Sequence, residues 1–367
     1  MTRVTGVSLT HLDLPLIQPY VLSYRTFESF EPFLIAIETD DGQLFYGEQH
    51  ISPGSSSETQ EGGWLFLTAA ATEILNCSLT DAHNKVQQKR QNSPVAASAC
   101  LNALDQALHP QLWSNSESLS IPILSAFSAM TELEIAEELE LRLSEGFQVF
   151  KVKVGKDVQQ DQRRVRSIQR LLGNRGHIRV DANRSYSVDD AISFSSVLNP
   201  DVCELFEQPC DASDWEGNGR VAKASPVPLM LDEPICTSHD IERAASISGV
   251  GFCKLKLKRF GSLNTLCEAI EKATLHGLKV VLGDGLGSDI NCYLEALVSY
   301  RYLDRAGEFN GCLKIRNEAR ILQTPLTFCD GHMIIPSQMT VTPDQSIVEA
   351  RTVKNIKYGT LGEKNEF

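Results

Sequence analysis

The chain has 367 residues, 42% of them hydrophobic, and a formal net charge of −13. This composition excludes a disordered or fibrous chain and suits an enzyme with a sizeable core. The acidic balance argues against nucleic acid or an anionic membrane as partner, although cations gathered in a pocket can still receive an acidic small molecule.

The N-terminus Met1-Thr-Arg-Val-Thr-Gly lacks a signal-peptide core, and no stretch reaches the ~18 apolar residues of a membrane helix. A cytoplasmic location is the expectation. Ten scattered cysteines include no Cys-x-x-Cys pair, which speaks against a zinc ribbon or thioredoxin motif. They read as buried thiols in a reducing compartment.

In chain order, the first hundred residues read as a small α+β unit. Phe33–Ile37 is an apolar run between Pro32 and Glu38, and Asp40-Asp-Gly-Gln is a hairpin signal before a partner strand at Leu44-Phe-Tyr-Gly-Glu. Residues 50–63 are Gly/Ser-rich and loop-like. Helical patterns follow around Leu65–Leu75 and Pro94–Leu108.

From about residue 120, short apolar runs alternate with amphipathic helical stretches. Strands are expected at 121–127, 149–154, 177–181, 202–207, 228–232, 251–256, 278–283 and 308–313, with helices starting near Glu132, Gln159, Val188, Asp214, Ser238, Gly261 and Ser288. Such alternation implies a parallel sheet, and eight strands at this spacing favour a closed (β/α) barrel. From about residue 325 the rhythm stops, so the tail is expected to return to the N-terminal unit.

The strand ends carry the chemistry. They read Lys151-Val-Lys153, Val180-Asp181-Ala-Asn183, Phe206-Glu207-Gln208-Pro209, Leu231-Asp232-Glu233-Pro234 and Lys254-Leu-Lys256. Lys153, Asp181, Glu207, Asp232 and Lys256 follow one another at intervals of 28, 26, 25 and 24 residues, each one βα unit. All five are therefore expected at the C-terminal mouth of the barrel, where active sites lie.

Three converging carboxylates repel unless a hard cation such as Mg²⁺ neutralises them. Lysines among them can pair with the acids, or in a water-poor, cation-rich setting can lose a proton and act as bases. Strand alternation points Lys151 and Lys153 to one face, and Lys254 and Lys256 likewise. The two pairs lie across the mouth from each other. One lysine can then take a proton from one face of a substrate carbon while another supplies one to the opposite face.

This ordered set resembles the enolase superfamily, in its muconate lactonizing enzyme subgroup. The resemblance spans most of the chain, including the Ala-rich helix with Leu101-Asn-Ala-Leu-Asp-Gln-Ala-Leu and the run Lys256-Leu-Lys-Arg259-Phe-Gly261. It implies a (β/α)7β TIM-like barrel with an α+β capping domain formed from the N-terminal region and C-terminal tail: residues 1–118 as cap, 119–325 as barrel and 326–367 returning to the cap. It implies a Mg²⁺-dependent enzyme (Mn²⁺ as the alternative ion) acting on a small carboxylate, and a homo-oligomer. Asp181, Glu207 and Asp232 would be metal ligands, Lys153 and Lys256 the acid/base pair, and Lys151 an electrostatic neighbour. Asn183 and Glu233 would support the metal or its water. Cap loops near 15–30 and 50–63 would close the mouth, with Tyr20, Tyr24, Phe27 and Phe30 contacting substrate.

The chain departs from the family pattern in three places. His109-Pro-Gln-Leu-Trp-Ser-Asn lacks the usual glycine-rich leucine turn. Strand seven ends Gly283-Asp284-Gly285-Leu-Gly287 without histidine, which speaks against a His/Asp dyad. Strand eight begins Glu308-Phe-Asn310; members acting on free amino groups carry carboxylates there, so Glu308 is a candidate ammonium receptor.

Each feature has a plainer reading. A lone strand-end acid is usually an ordinary polar terminus or helix cap; three acids and two lysines in register are not. Lys254 and Lys258 fit a surface or an ion pair, and His50 a structural role. The Gly283–Gly287 run lacks the third glycine of a dinucleotide loop and instead holds the strand-seven loop near substrate, with Asp284 a polar contact. Residues 54–57 lack the Lys-Ser/Thr of a phosphate loop and read as a lid.

The expected activity is racemisation or epimerisation of an amino-acid derivative (N-acyl amino acid, dipeptide or proline type). A dehydratase or cycloisomerase of a hydroxy or unsaturated acid is the alternative on the same scaffold. A Schiff-base aldolase using Lys153 or Lys256, or a non-catalytic barrel, are alternatives of a different class.

Overall fold

A computed structural model describes residues 2–21, 25–53, 56–283 and 285–361. The chain begins with β1 (Val4–Leu12), β2 (Leu14–Val21), β3 (Thr26–Phe30), β4 (Phe33–Thr39) and β5 (Leu44–Gln49). The β4–β5 hairpin forms because Thr39 donates its hydroxyl to Asp41 at 2.6 Å while Gly42 takes φ 78° in the turn. β1, β4 and β5 share one sheet and β2 pairs with β3 in another. Helices α1 (Gln60–Ile74) and α3 (Pro94–Leu108) pack on the first, with α2 (Leu79–Lys89) against both helices. Gly47 lets α3 lie directly on β5, since a Cβ there would sit 2.0 Å from the Ala99 carbonyl oxygen.

The second layer is the barrel. After β6 (Leu119–Pro122) come β7 (Ser125–Phe127), α4 (Glu132–Ser144), β8 (Val149–Lys153), α5 (Val158–Leu172), β9 (His177–Asp181), α6 (Val188–Ser195), β10 (Cys203–Glu207) and α7 (Trp215–Ala224). The series continues with β11 (Leu229–Leu231), α8 (Ser238–Ala245), β12 (Val250–Leu255), the single turn α9 (Leu257–Phe260), α10 (Leu263–Leu275), β13 (Lys279–Leu282) and α11 (Asp289–Tyr302). Strands β7 to β13 form one parallel sheet in sequence order. Thr131, Asp157, Ser187, Asp214, Thr237 and Ser262 start six of the helices, each side chain accepting a backbone N–H of the first turn. The outward faces of the strands (Phe150, Val152, Cys253, Leu255) join the main core under the helices. Leu205, Met230, Phe252 and Val281 fill the barrel interior.

Two expected strands differ. Residues 121–127 split into β6 and β7, and β6 leaves the barrel to pair antiparallel with β15. The segment 308–313 is not a strand. Residues 307–308 do close the barrel, with Glu308 N–H donating to Leu282 O at 2.8 Å and Leu124 N–H to Gly307 O at 3.0 Å. At Asn310 the side-chain amide takes over, donating to Leu124 O at 3.0 Å, and the chain then turns through a 3₁₀ helix at Gly311–Lys314.

The tail contains β14 (Thr327–Cys329), β15 (His332–Ile335), α12 (Gln345–Ala350) and β16 (Thr352–Gly359). β14 and β15 extend from β6, whereas β16 pairs antiparallel with β1 of the cap. The molecule is thus a TIM-like barrel with an α+β cap completed by the tail. Among the described residues no helix is long and apolar enough to cross a membrane. Seven cysteines are buried, but Cys236 and Cys329 are exposed, contrary to the expectation of buried thiols.

Two cap acids dock on barrel helix N-termini. Glu48 of β5 accepts from Ser288 N–H at 2.7 Å, from Asn291 N–H at 3.1 Å and from the Ser288 hydroxyl, at the start of α11. Asp105 of α3 accepts from Leu263 N–H at 2.7 Å, at the start of α10. Negative charge is favoured at both places by the helix dipole and free N–H groups.

Burial nonetheless pushes Glu48 up to about 7, outweighing those hydrogen bonds. The folded state therefore holds a proton that the unfolded state has released, and this group's effect on stability grows less favourable as pH rises from 4.5 to about 7. Glu48→Gln is expected to flatten that part of the stability–pH curve. Glu48→Ala strands the amide donors and is expected to cost about 1–3 kcal/mol. Urea unfolding across the interval checks both; equal pH slopes for wild type and Glu48→Gln would refute the assignment.

Candidate active site

The C-terminal ends of β8 to β12 converge under the cap. Register places Lys153 beside Asp181 and Asp181 beside Glu207 on neighbouring strands. Asp232 and Lys256 stand one residue beyond β11 and β12. A cleft there is lined by Tyr20, Lys151, Lys153, Asp181, Asn183, Arg184, Asp232, Glu233, Lys256, Lys258, Arg259, Leu286 and Glu308. Glu207 lies just beneath, 1% exposed. Tyr24 and Asp284 fall outside the described residues.

Lys151 is the hub. Its Nζ stands 2.9 Å from Asp181 Oδ2, Glu207 Oε2 and Glu308 Oε2. Burial opposes its charge, but the three acids outweigh burial and hold it well above the usual lysine range. Asp181 is resisted by burial too, yet Lys151 and Lys153 bring it below its ordinary value. Glu207 is pushed up by burial and by Asp181, more than Lys151 and Lys254 offset. Both Glu207 oxygens are buried, with Lys151 Nζ 2.9 Å from Oε2 and Lys254 Nζ 3.8 Å from Oε1.

The two outer lysines each hold one acid. Lys153 Nζ lies 2.6 Å from Asp181 Oδ2 and 2.5 Å from Asn183 Oδ1. Lys256 Nζ lies 2.9 Å from Asp232 Oδ2. Arg259 NH1 reaches Asp232 Oδ1 at 2.8 Å and its carbonyl at 2.5 Å. Against burial, Lys256 and Arg259 hold Asp232 well below the carboxylate range. Glu233 behaves oppositely, pushed to about 7 by burial and by Asp232.

The loops are held in place by less visible groups. Asn183 (φ 44°), Arg184 (φ 68°) and Gln208 (φ 35°) occupy the left-handed region, a strained arrangement that clusters at functional sites. Arg184 Nε stands 3.2 Å from Glu233 Oε1, and Gln208 Oε1 accepts from Asp232 N–H at 2.9 Å. Arg164 donates to Lys153 O at 2.7 Å, and Asp161 accepts from Gly155 N–H and the Tyr186 hydroxyl. Asn183 and Glu233 were expected as supporting groups, whereas the roles of Arg184, Gln208, Arg164 and Asp161 depend on how the loops turn after their strands and carry no signal in the sequence.

Other expectations divide. Lys254 is 1% exposed and pairs with Glu308, with Glu207 Oε1 3.8 Å away; Lys258 is also buried. Neither is a surface decoration. Tyr20 lines the cleft, its ring beneath Lys314 Nζ at 4.7 Å. Phe27 and Phe30 instead pack against His50, whose Nδ1 accepts from Glu31 N–H at 3.1 Å.

The acids supply hard oxygen donors from three adjacent strands, of the kind that hold Mg²⁺. Among the described residues no three acidic, histidine or cysteine side chains close on one point as they stand: Asp181 and Glu207 share Lys151, and Asp232 turns to Lys256 and Arg259. Burial and the neighbouring Asp181 raise Glu207, and a divalent cation beside the two acids would favour their charged forms, so the donor set fits one.

Comparison with known proteins identifies the family. Residues 134–344 match the family model "Enolase C-terminal domain-like". The chain is 24% identical to N-succinyl-L-Arg/Lys racemase of Bacillus cereus, covering 78% of this chain and 81% of that one. It is 26% identical to muconate cycloisomerase 1 of Acinetobacter baylyi, covering 89% and 92%. The fold matches the dipeptide epimerase of Cytophaga hutchinsonii complexed with Mg and D-Ala-L-Val, with a TM-score of 0.84, 20% identity and coverage of 97% and 99%. The chain belongs to the enolase superfamily, as an enzyme of its muconate lactonizing enzyme subgroup.

Proposed function

We propose that this enzyme removes the proton α to a substrate carboxylate with the help of Mg²⁺ and returns it as a racemase or epimerase of an amino-acid derivative. The observation that carries the reading is the pair Lys153 and Lys256, which face one cleft from well-separated strands, each beside an acid of the same cluster. Asp181, Glu207 and Asp232 would hold the cation, with Mn²⁺ as the alternative ion. When bound, it withdraws charge from the substrate carboxylate as the α-carbon loses its proton.

The chain's own residues supply the rest. Lys153 Nζ takes the proton on one side and Lys256 Nζ delivers one on the other, or the reverse for the opposite enantiomer. Asn183 holds Lys153, Arg259 holds the Asp232 that pairs with Lys256, and Lys151 offsets the charge of Asp181 and Glu207. Tyr20 of the cap borders the substrate space. The small carboxylate acts within the cleft, and the acidic surface gives no basis for a nucleic-acid partner.

Cycloisomerisation of an unsaturated acid is the second reading, favoured by the larger share of both chains matched by the muconate cycloisomerase. A Schiff-base role for either lysine leaves the acid cluster without a purpose.

The test is proton NMR in D₂O of purified protein with and without Mg²⁺, across amino acids, N-acyl amino acids, dipeptides, prolines, hydroxy acids and muconate. Mg²⁺-dependent loss of an α-proton signal with inversion is the expected result. Lactone formation without inversion would move the assignment to the second reading. EDTA-insensitive activity would overturn both.

A further inference from the structure

Lys254 is a buried cation that the proton transfers above do not use. It shares the inward face of β12 with Phe252, which fills the barrel interior together with Leu205, Met230 and Val281. An apolar layer of this kind cannot solvate an ammonium group. The Lys254 side chain is 1% exposed; its Nζ is in direct contact with Glu308 and stands 3.8 Å from Glu207 Oε1.

The cations around the acid cluster differ in how far they can withdraw. Lys153 has 41% of its side chain exposed, so its ammonium can leave Asp181 for water. Lys151 and Lys254, at 7% and 1%, have no such route, and parting either from its acids would strand a buried charge. A divalent ion arriving at Asp181 and Glu207 can displace Lys153 but must share the acids with these two fixed ammonium groups.

Asp232 is already offset by Lys256 and Arg259. Asp181, Glu207 and Glu308 then stand against Lys151 and Lys254, which leaves one surplus negative charge for the ion. Without Lys254 the surplus would be two. In a buried site, where water screens little, one charge is a large difference.

We infer that Lys254 is a built-in counter-ion that limits how tightly the acid cluster holds a divalent cation, and that Glu308 in turn restrains Lys254. The ion is then an exchangeable partner rather than a permanent fixture. The inference rests on the reading above that Asp181, Glu207 and Asp232 are the ligands of that cation.

The test titrates Mn²⁺ into the chelator-treated whole chain and reads the free ion by electron paramagnetic resonance, with no substrate present. Lys254→Met keeps much of the side-chain volume and is expected to tighten Mn²⁺ binding at least about tenfold. Glu308→Gln leaves Lys254 uncompensated and is expected to weaken binding at least about tenfold. The double variant loses one charge of each sign and should lie within about threefold of wild type.

The opposite signs separate charge from packing, since a structural defect would weaken binding in both single variants. Unchanged or weaker binding in Lys254→Met overturns the inference, as does unchanged or tighter binding in Glu308→Gln. Should Lys254→Met fail to fold by circular dichroism, Glu308→Gln against the double variant decides, and equal affinities overturn it. Mn²⁺ binding that neither variant alters defeats this inference and leaves the isomerase reading standing. The expected pattern in a protein that exchanges no α-proton does the reverse.

Discussion

Lys153→Ala and Lys256→Ala are each expected to lower the rate of inversion by about 10²–10⁴-fold, the usual contribution of a positioned general acid or base. Neither change should unfold the protein. Without Lys153, Asp181 keeps Lys151 at 2.9 Å, and without Lys256, Asp232 keeps Arg259 at 2.8 Å. A carboxylate that retains one buried cation avoids most of the penalty of an unpaired charge.

The two variants should also fail differently. With one lysine gone, the other can still remove and return a proton on its own face. Each variant is therefore expected to exchange the α-proton of one enantiomer, and opposite enantiomers in the two cases, without inverting either. NMR in D₂O combined with chiral chromatography separates exchange from inversion. Full inversion in either variant would eliminate the two-base mechanism; loss of exchange for both enantiomers in only one variant would point to a single base.

Lys151→Met is expected to be the most destabilising single change at the site, costing about 3–5 kcal/mol in urea unfolding at pH 7. Methionine fills a similar volume but leaves Asp181, Glu207 and Glu308 without their shared ammonium. Lys254 still contacts Glu308 and Lys153 still holds Asp181 at 2.6 Å, so the loss falls mainly on Glu207, whose next cation is Lys254 at 3.8 Å.

The pH dependence has a definite sign. In the wild type Asp181 is held below its ordinary 3.8, so its contribution is present above that value and lost as pH falls through the folded-state value. The gap between wild type and Lys151→Met should therefore narrow in acid. Added Mg²⁺ should raise the unfolding midpoint of the variant more than that of the wild type, since a cation at the acids replaces the lost charge. A variant as stable as wild type at neutral pH would mean that Lys151 does not compensate the cluster.

Much of this site is visible in the sequence because barrel geometry is periodic. A strand that ends in a charged residue, followed one βα unit later by another, brings both side chains to the same rim. Lys153, Asp181, Asp232 and Lys256 line one cleft for that reason. Lys254 was ambiguous because an inward-facing lysine and a surface lysine look alike in a strand; only the closed barrel puts it beside Glu308. Arg184 and Gln208 were missed because positive φ values after β9 and β10 leave no mark in residue type. The segment 308–313 failed for a local reason, since the Asn310 amide substitutes for a backbone ladder bond. β16 escaped notice because most of its residues face water, without the apolar alternation that marks a half-buried strand.

That last strand has another consequence. It flanks β1, whose residues are mostly buried, and its register joins Gly6 to Gly359 across almost the entire chain. Until residues 352–359 arrive, β1 offers an unpaired row of N–H and C=O groups on an apolar strand, a template for pairing with another molecule. Once in place, β16 exposes Lys354 and Lys357 on the outer edge, and charged edge lysines discourage self-association. A chain cut before Thr352 would therefore fail by aggregation even if the barrel and every side chain at its mouth were intact.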